Sequence, residues 1–97
     1  MSKNRKPIIL CAGTNGCAVL FGYVDADPVP GEPVELHNAR MILRWDAACC
    51  GLLGLAADGP KGDTRVTPTV KRTVETKWQE WVSVNRSAAK QIREWSC

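Results

Sequence analysis

Residues 39–60 read Ala39-Arg40-Met41-Ile42-Leu43-Arg44-Trp45-Asp46-Ala47-Ala48-Cys49-Cys50-Gly51-Leu52-Leu53-Gly54-Leu55-Ala56-Ala57-Asp58-Gly59-Pro60, and this stretch decides the fold. Its first part alternates, with Met41, Leu43 and Trp45 on one face and Arg40, Ile42 and Arg44 on the other. That period of two predicts a strand. Asp46 is a good helix N-cap, and Gly59-Pro60 is a stop signal, so Ala47–Asp58 is expected to be a helix. This helix carries no charge before Asp58. A helix that is apolar all round must be covered all round, and one small sheet covers only one side. Gly51 and Gly54 each cost roughly 1 kcal/mol relative to alanine, which suggests close approach of another backbone. The expectation is a homo-oligomer assembled through the helix Ala47–Asp58.

Upstream, residues 1–6 are polar and are expected to be a flexible N-terminus. Pro7–Ala12 is a short apolar run that reads as a buried strand. Gly13-Thr14-Asn15-Gly16 reads as a hairpin turn, because Asn-Gly favours the positive φ angles such a turn needs. Cys17–Val24 continues as a second strand, and three prolines and a glycine make residues 25–33 a loop. Val34, Leu36 and Asn38 then alternate with Glu35 and His37 as in a half-buried strand. Downstream, residues 59–65 form a loop, and Val66–Val84 is one long strand or two, broken by Pro68. Val70, Val74, Trp78, Val82 and Val84 are expected on one side of it. Asn85 or Ser87 caps a final helix with an Ala88, Ile92, Trp95 stripe. The fold class is therefore α+β, in one domain over residues 7–97. Its sheet is small and antiparallel, with about four to five strands, one central apolar helix and a C-terminal helix.

Several functional classes are disfavoured at once. A chain of 97 residues buries roughly 60–65% of the surface its unfolded form exposes, which leaves a thin core. The longest nearly uncharged stretch, residues 47–57, falls well short of the roughly 20 residues that cross a bilayer. Nothing near Met1 resembles a signal peptide, so a cytoplasmic protein is expected, with no membrane partner. The five cysteines include no C-x-x-C pair, and His37 is the sole histidine. That composition argues for reduced structural thiols and for no metal site. No nucleophile elbow, P-loop, zinc-protease or dinucleotide motif occurs, which argues against an enzyme and against a cofactor. Asp25, Asp27, Glu32 and Glu35 make the early loop acidic, and neighbouring acids there read as solvated charge. Residues 61–77 carry five basic side chains against Asp63 and Glu75, the full +3 excess of the chain. Such a cluster is either a solvated face or a local anion site. It is too sparse for duplex nucleic acid.

His37-Asn38-Ala39-Arg40-Met41-Ile42-Leu43-Arg44-Trp45-Asp46-Ala47-Ala48, followed by Leu52–Leu55, Ala56 and Gly59, resembles a pattern found in small phage proteins. The likeness extends upstream to Ala18-Val19-Leu20-Phe21-Gly22 and downstream to Ser87-Ala88-Ala89-Lys90-Gln91-Ile92 and Trp95. The chain is similar to the anti-Thoeris and anti-CBASS sponge family of phages. It departs from that pattern at Leu43-Arg44, where an aromatic residue usually precedes the tryptophan, and at Cys49-Cys50. The resemblance implies an oligomer that traps a cyclic nucleotide second messenger, a cyclic ADP-ribose isomer or cyclic oligonucleotide, without cleaving it. The alternative is a small phage structural or protein-interaction module with no nucleotide ligand.

A nucleotide needs charge-assisted donors for phosphate and a flat wall for its base. Arg40, Arg44 and Arg65 supply the fork geometry for phosphate. Thr64 and Thr67 flank Arg65 with hydroxyls, and Lys61 adds a less directional charge. Trp45 or Trp78 is the candidate stacking surface. Asn15 and Gly16 would close the pocket from a neighbouring subunit.

Overall fold

The computed structural model describes residues 5–13 and 18–96. Six strands and two helices follow in the order β1 (Lys6–Ala12), β2 (Ala18–Val24), β3 (Val34–Arg44), α1 (Gly51–Asp58), β4 (Arg65–Val66), β5 (Val70–Glu75), β6 (Trp78–Ser83) and α2 (Arg86–Glu94). All strand pairings are antiparallel. The α+β class agrees with the sequence, whereas the sheet has six strands rather than four or five. The extra ones come from residues 65–83, where the chain makes three short strands in succession.

The connection between β5 and β6 shapes the sheet. Strand β5 pairs with β3, and β6 pairs with β1, on opposite sides of the central β3-β2-β1 unit. In a flat sheet these two strands would stand four strand spacings apart, about 19 Å. Only Thr76 and Lys77 join them, and the three Cα steps from Glu75 to Trp78 reach at most about 11 Å. The sheet must therefore curl until its borders approach. Curling creates two cores. Ile8, Leu10, Leu20, Val34, Leu36 and Ala39 fill the inside of the curl. Ile9, Phe21, Ile42, Leu55, Ala88 and Ile92 pack between the outer sheet face and the two helices. This explains why Ile8–Ala12 is buried at every position, although its side chains alternate between the faces.

A bulge changes the phase of β3 midway. Phe21 faces Arg40 and Tyr23 faces His37, so Gly22 stands opposite both Asn38 and Ala39. Asn38 takes the left-handed conformation, φ 52°. Before the bulge Val34 and Leu36 point into the curl. After it Ala39 does, while Arg40 and Ile42 turn towards the helices. Gly22 allows the close approach, since a Cβ there would lie 2.9 Å from Leu36 Cβ. Arg40 and Ile42 thus share a face as expected, but on an interior strand. Met41 and Leu43 are exposed, and so is Arg44, beyond a register shift at Ile42.

The expected helix Ala47–Asp58 is two pieces. Asp46 caps a single 3-10 turn, Ala47–Cys49, by accepting the Ala48 N–H at 2.9 Å. Cys50 and Gly51 then take positive φ, 62° and 74°, and α1 starts afresh at Gly51. The glycines have reasons within the chain: Gly51 adopts the left-handed bend, and a Cβ on Gly54 would stand 1.7 Å from the Cys49 carbonyl oxygen. The backbone that approaches Gly54 is the chain's own. Leu55 and Ala56 face the core, whereas Leu53 is 70% exposed. The expected stripe along residues 70–84 also divides. Val82 and Val84 face the helices, Trp78 faces the inner core across a register shift in the β1–β6 ladder, and Val70 and Val74, on the separate strand β5, are exposed. Ala88 and Ile92 are buried as their spacing requires, and Trp95 packs beside them.

Candidate functional site

The Arg40 guanidinium is taken up inside the fold. The residue is 5% exposed, with Nε donating to the Thr67 carbonyl at 2.7 Å. Its Nη1 donates to the carbonyls of Ile92 at 2.8 Å, Arg93 at 3.2 Å and Trp95 at 2.7 Å. The guanidinium neutralises the carbonyl-rich C-terminus of α2 and fastens it to β3. Thr64 is also internal at 5% exposure, donating to the Lys61 carbonyl at 2.7 Å with the Cys49 thiol 3.3 Å away. Thr67 accepts the Met41 N–H at 2.9 Å and donates to the Pro68 carbonyl at 3.1 Å, where the β3–β4 pairing ends. Trp45 packs against the helix-side core, and Trp78 donates Nε1 to the Glu32 carbonyl at 2.7 Å. Arg40, Thr64 and Thr67 therefore spend their polar groups on the fold. Asn15 and Gly16 lie outside the described residues.

Arg44, Arg65 and Lys61 remain on the surface. Arg44 of β3 and Arg65 of β4 are direct partners across the ladder, which brings two guanidinium groups together. Both pair with the one carboxylate of Asp63, Arg44 with Oδ2 and Arg65 with Oδ1 at 3.3 Å. The result is two forks on one acid, with Lys61 two residues before it. An arriving phosphate could displace Asp63 and take up the forks in a bidentate manner.

The loop that carries Asp63 is held by Asp46, whose Oδ2 accepts the Asp63 N–H at 3.1 Å. These bonds, Ala48 first and Asp63 second, hold the Asp46 carboxyl below its ordinary value of 3.8. A carboxylate with a lowered folded-state pKa contributes fully above its unfolded value and loses that contribution as pH falls through the folded one. Melting temperature is accordingly expected to decline below about pH 3.8. Asp46→Asn, which keeps a capping oxygen but does not titrate, should flatten that decline in a series of thermal melts against pH.

Further along β3 lies an apolar groove of about 400 Å³, lined by Leu20, Ala39, Arg40, Met41, Pro68 and Val70, with Glu75 at its side and none of Arg44, Lys61 or Arg65 in its wall. Met41 is three residues from Arg44 along β3, roughly 10 Å.

A second cluster escapes sequence reading. Glu35 and His37 project from the same face of β3, and Asp25 follows the end of β2 beside them. His37 Nε2 is shielded from solvent and has no hydrogen-bond partner. It stands 3.4 Å from Glu35 Oε1 and 3.7 Å from Asp25 Oδ2. Arg72 of β5 bonds Glu35 and holds its carboxyl below the usual range, against a smaller opposing effect of burial. The signal was present as a Glu-x-His alternation within a strand, but Asp25 joins it only through β2–β3 pairing.

The profile of one protein family, described as a domain of unknown function (DUF6948), matches residues 5–92. No curated protein and no solved structure matches the chain.

Proposed function

From the premise that the chain belongs to the DUF6948 family, we propose that it is a sequestering protein that captures a phosphate-bearing ligand without cleaving it. The ligand class is the cyclic nucleotide signal of a bacterial defence system, as in the phage sponge family that the sequence resembles. The observation carrying this reading is the opposed pair Arg44 and Arg65, which share a single acid at the surface. Lys61 adds charge beside it, and the groove beside Met41 offers an apolar wall for a base. A sponge needs affinity rather than a nucleophile, and these groups supply affinity. Self-association through α1, with Leu53 at the contact, would complete pockets between subunits.

A panel of cyclic ADP-ribose isomers and cyclic di- and trinucleotides, scored by thermal shift, tests the reading. A ligand at 100 times its Kd adds about 2.7 kcal/mol to the folded state. Arg65→Ala is expected to weaken the captured ligand by roughly ten- to a hundred-fold, the loss of about 1.5–3 kcal/mol for one charge-assisted contact. Fold should be unaffected, since Arg65 is exposed. Calorimetry on folded Arg65→Ala showing wild-type affinity would exclude this surface, and sedimentation of the same samples reports assembly. The groove and exposed Leu43, Val70 and Val74 favour a second reading, a protein-interaction module. Absence of a shift with every nucleotide selects it.

A further inference from the structure

We propose that Asp25, Glu35 and His37 form a binding site for a divalent transition-metal cation of the zinc class. One donor atom of each residue lies within 4.8 Å of the other two. Two strands bring them together: Glu35 and His37 stand two residues apart on β3, and His37 faces Tyr23, two residues before Asp25.

Distances separate a metal cage from a simple ion pair. A charge-assisted N–H···O contact closes to about 2.7–2.9 Å. His37 Nε2 remains 3.4 Å and 3.7 Å from its two carboxylate neighbours and hydrogen-bonds to neither, although solvent cannot reach it. Zinc bonds of 2.0–2.2 Å arranged tetrahedrally place donor atoms about 3.3–3.6 Å apart. The His37–Glu35 separation of 3.4 Å falls within that spacing and the His37–Asp25 separation of 3.7 Å lies just above it, and a central cation gives the orphaned nitrogen its partner. The outer carboxylate oxygens are already engaged, Asp25 Oδ1 by Arg5 Nε at 3.1 Å and Glu35 Oε2 by Arg72. That leaves Oδ2 and Oε1 directed at the imidazole, the orienting role that outer partners play for metal ligands. One imidazole with two carboxylates suits zinc, cobalt or nickel rather than magnesium or calcium, which take oxygen alone. Three protein ligands leave a position for water. A cavity of about 250 Å³ opens beside them, with Asp25, Asp27, Glu32 and Glu35 in its wall and no basic side chain among its described lining. Arg5, Lys6 and Arg72 pair with Asp25, Asp27 and Glu35 from outside that wall, so the site rests on its donor geometry rather than on a bare acidic field.

The test uses tag-free, chelator-treated protein, titrated with zinc by calorimetry and with cobalt by absorption. Because the chain has a single histidine, its ring nitrogens are read individually in a long-range nitrogen-15 spectrum. The expected result is saturable one-to-one binding that shifts those nitrogens and shows no thiolate-to-cobalt band. Asp25→Asn, in an exposed loop, and His37→Gln should each weaken binding at least about tenfold, with circular dichroism unchanged. Should His37→Gln fail to fold, Asp25→Asn decides alone. Cys50→Ser should leave binding intact. No saturation by roughly 100 µM free zinc, wild-type affinity in Asp25→Asn, or loss of binding in Cys50→Ser would each overturn the site.

Discussion

Replacing Arg40 with methionine is expected to cost about 3–5 kcal/mol of stability, the largest loss for any single polar side chain in this protein. Methionine keeps most of the length and fills the space, so the loss isolates the donors. The carbonyls of Thr67, Arg93 and Trp95 would lose this partner at once, and that of Ile92 would keep only the long bond from the Trp95 N–H at 3.4 Å. Each buried acceptor left unpaired costs about 1–3 kcal/mol, less where water can enter. Small domains have about 5–15 kcal/mol in total, so the variant approaches unfolding at ordinary temperature. Urea denaturation of wild type, Arg40→Met and Arg40→Lys measures it. Lysine restores charge without the fork and should recover only part of the loss. A deficit below about 1 kcal/mol in Arg40→Met would show that water replaces the guanidinium, and the fastening of α2 to β3 would have to be explained otherwise.

The second large effect runs against the usual sign. Glycine to alanine inside a helix normally stabilises by roughly 1 kcal/mol. Gly54→Ala should instead destabilise by at least about 3 kcal/mol. The new methyl would lie 1.7 Å from the Cys49 carbonyl oxygen and 2.8 Å from its carbon, both backbone atoms that cannot rotate aside. The 3-10 turn must therefore lift away. With it goes Cys49, which is 2% exposed and accepts the Lys61 N–H at 3.2 Å. Thermal melts report the loss, and thiol labelling followed by peptide mass spectrometry should find Cys49 newly reactive. Gly51→Ala is the comparison, because nothing lies within 4 Å of its Cβ position and only its positive φ is strained. If Gly54→Ala cost no more than Gly51→Ala, the contact with the Cys49 carbonyl would not be the dominant effect.

Local sequence carried the parts of this fold that are decided locally. The apolar runs of β1 and β2, the Asp46 cap and the Ala88–Ile92 stripe depend on residues a few positions apart, and each was legible. The curl was not, since it follows from which strands β5 and β6 choose as partners. The bulge at Asn38 was hidden for the same reason, because its cause is Gly22 on the neighbouring strand. Misreading followed directly at the candidate site. Arg40 and Arg44 look equivalent in an alternating strand, yet Arg40 meets carbonyls 52–55 residues later, while Arg44 meets only Asp63. Charge and spacing alone could nominate both. Only the arrival of α2 over one of them separates a structural guanidinium from an available one. His37 is the converse case, set aside as a lone histidine because its acidic neighbour Asp25 lies 12 positions earlier in the sequence.

The pairing of β1 with β6 has a consequence for how this chain must be made. Ile8, Ile9 and Leu10 line up with Ser83, Val82 and Trp81, more than 70 residues further on. A ribosome adding about 5–20 residues per second needs roughly 4–15 s to deliver that partner. Throughout this interval the nascent β1–β2 hairpin would present an open hydrogen-bonding border and apolar residues on both surfaces, the combination that invites wrong association. Synthesis rate and chaperone supply are thus expected to bear on the yield of this protein alongside its final stability.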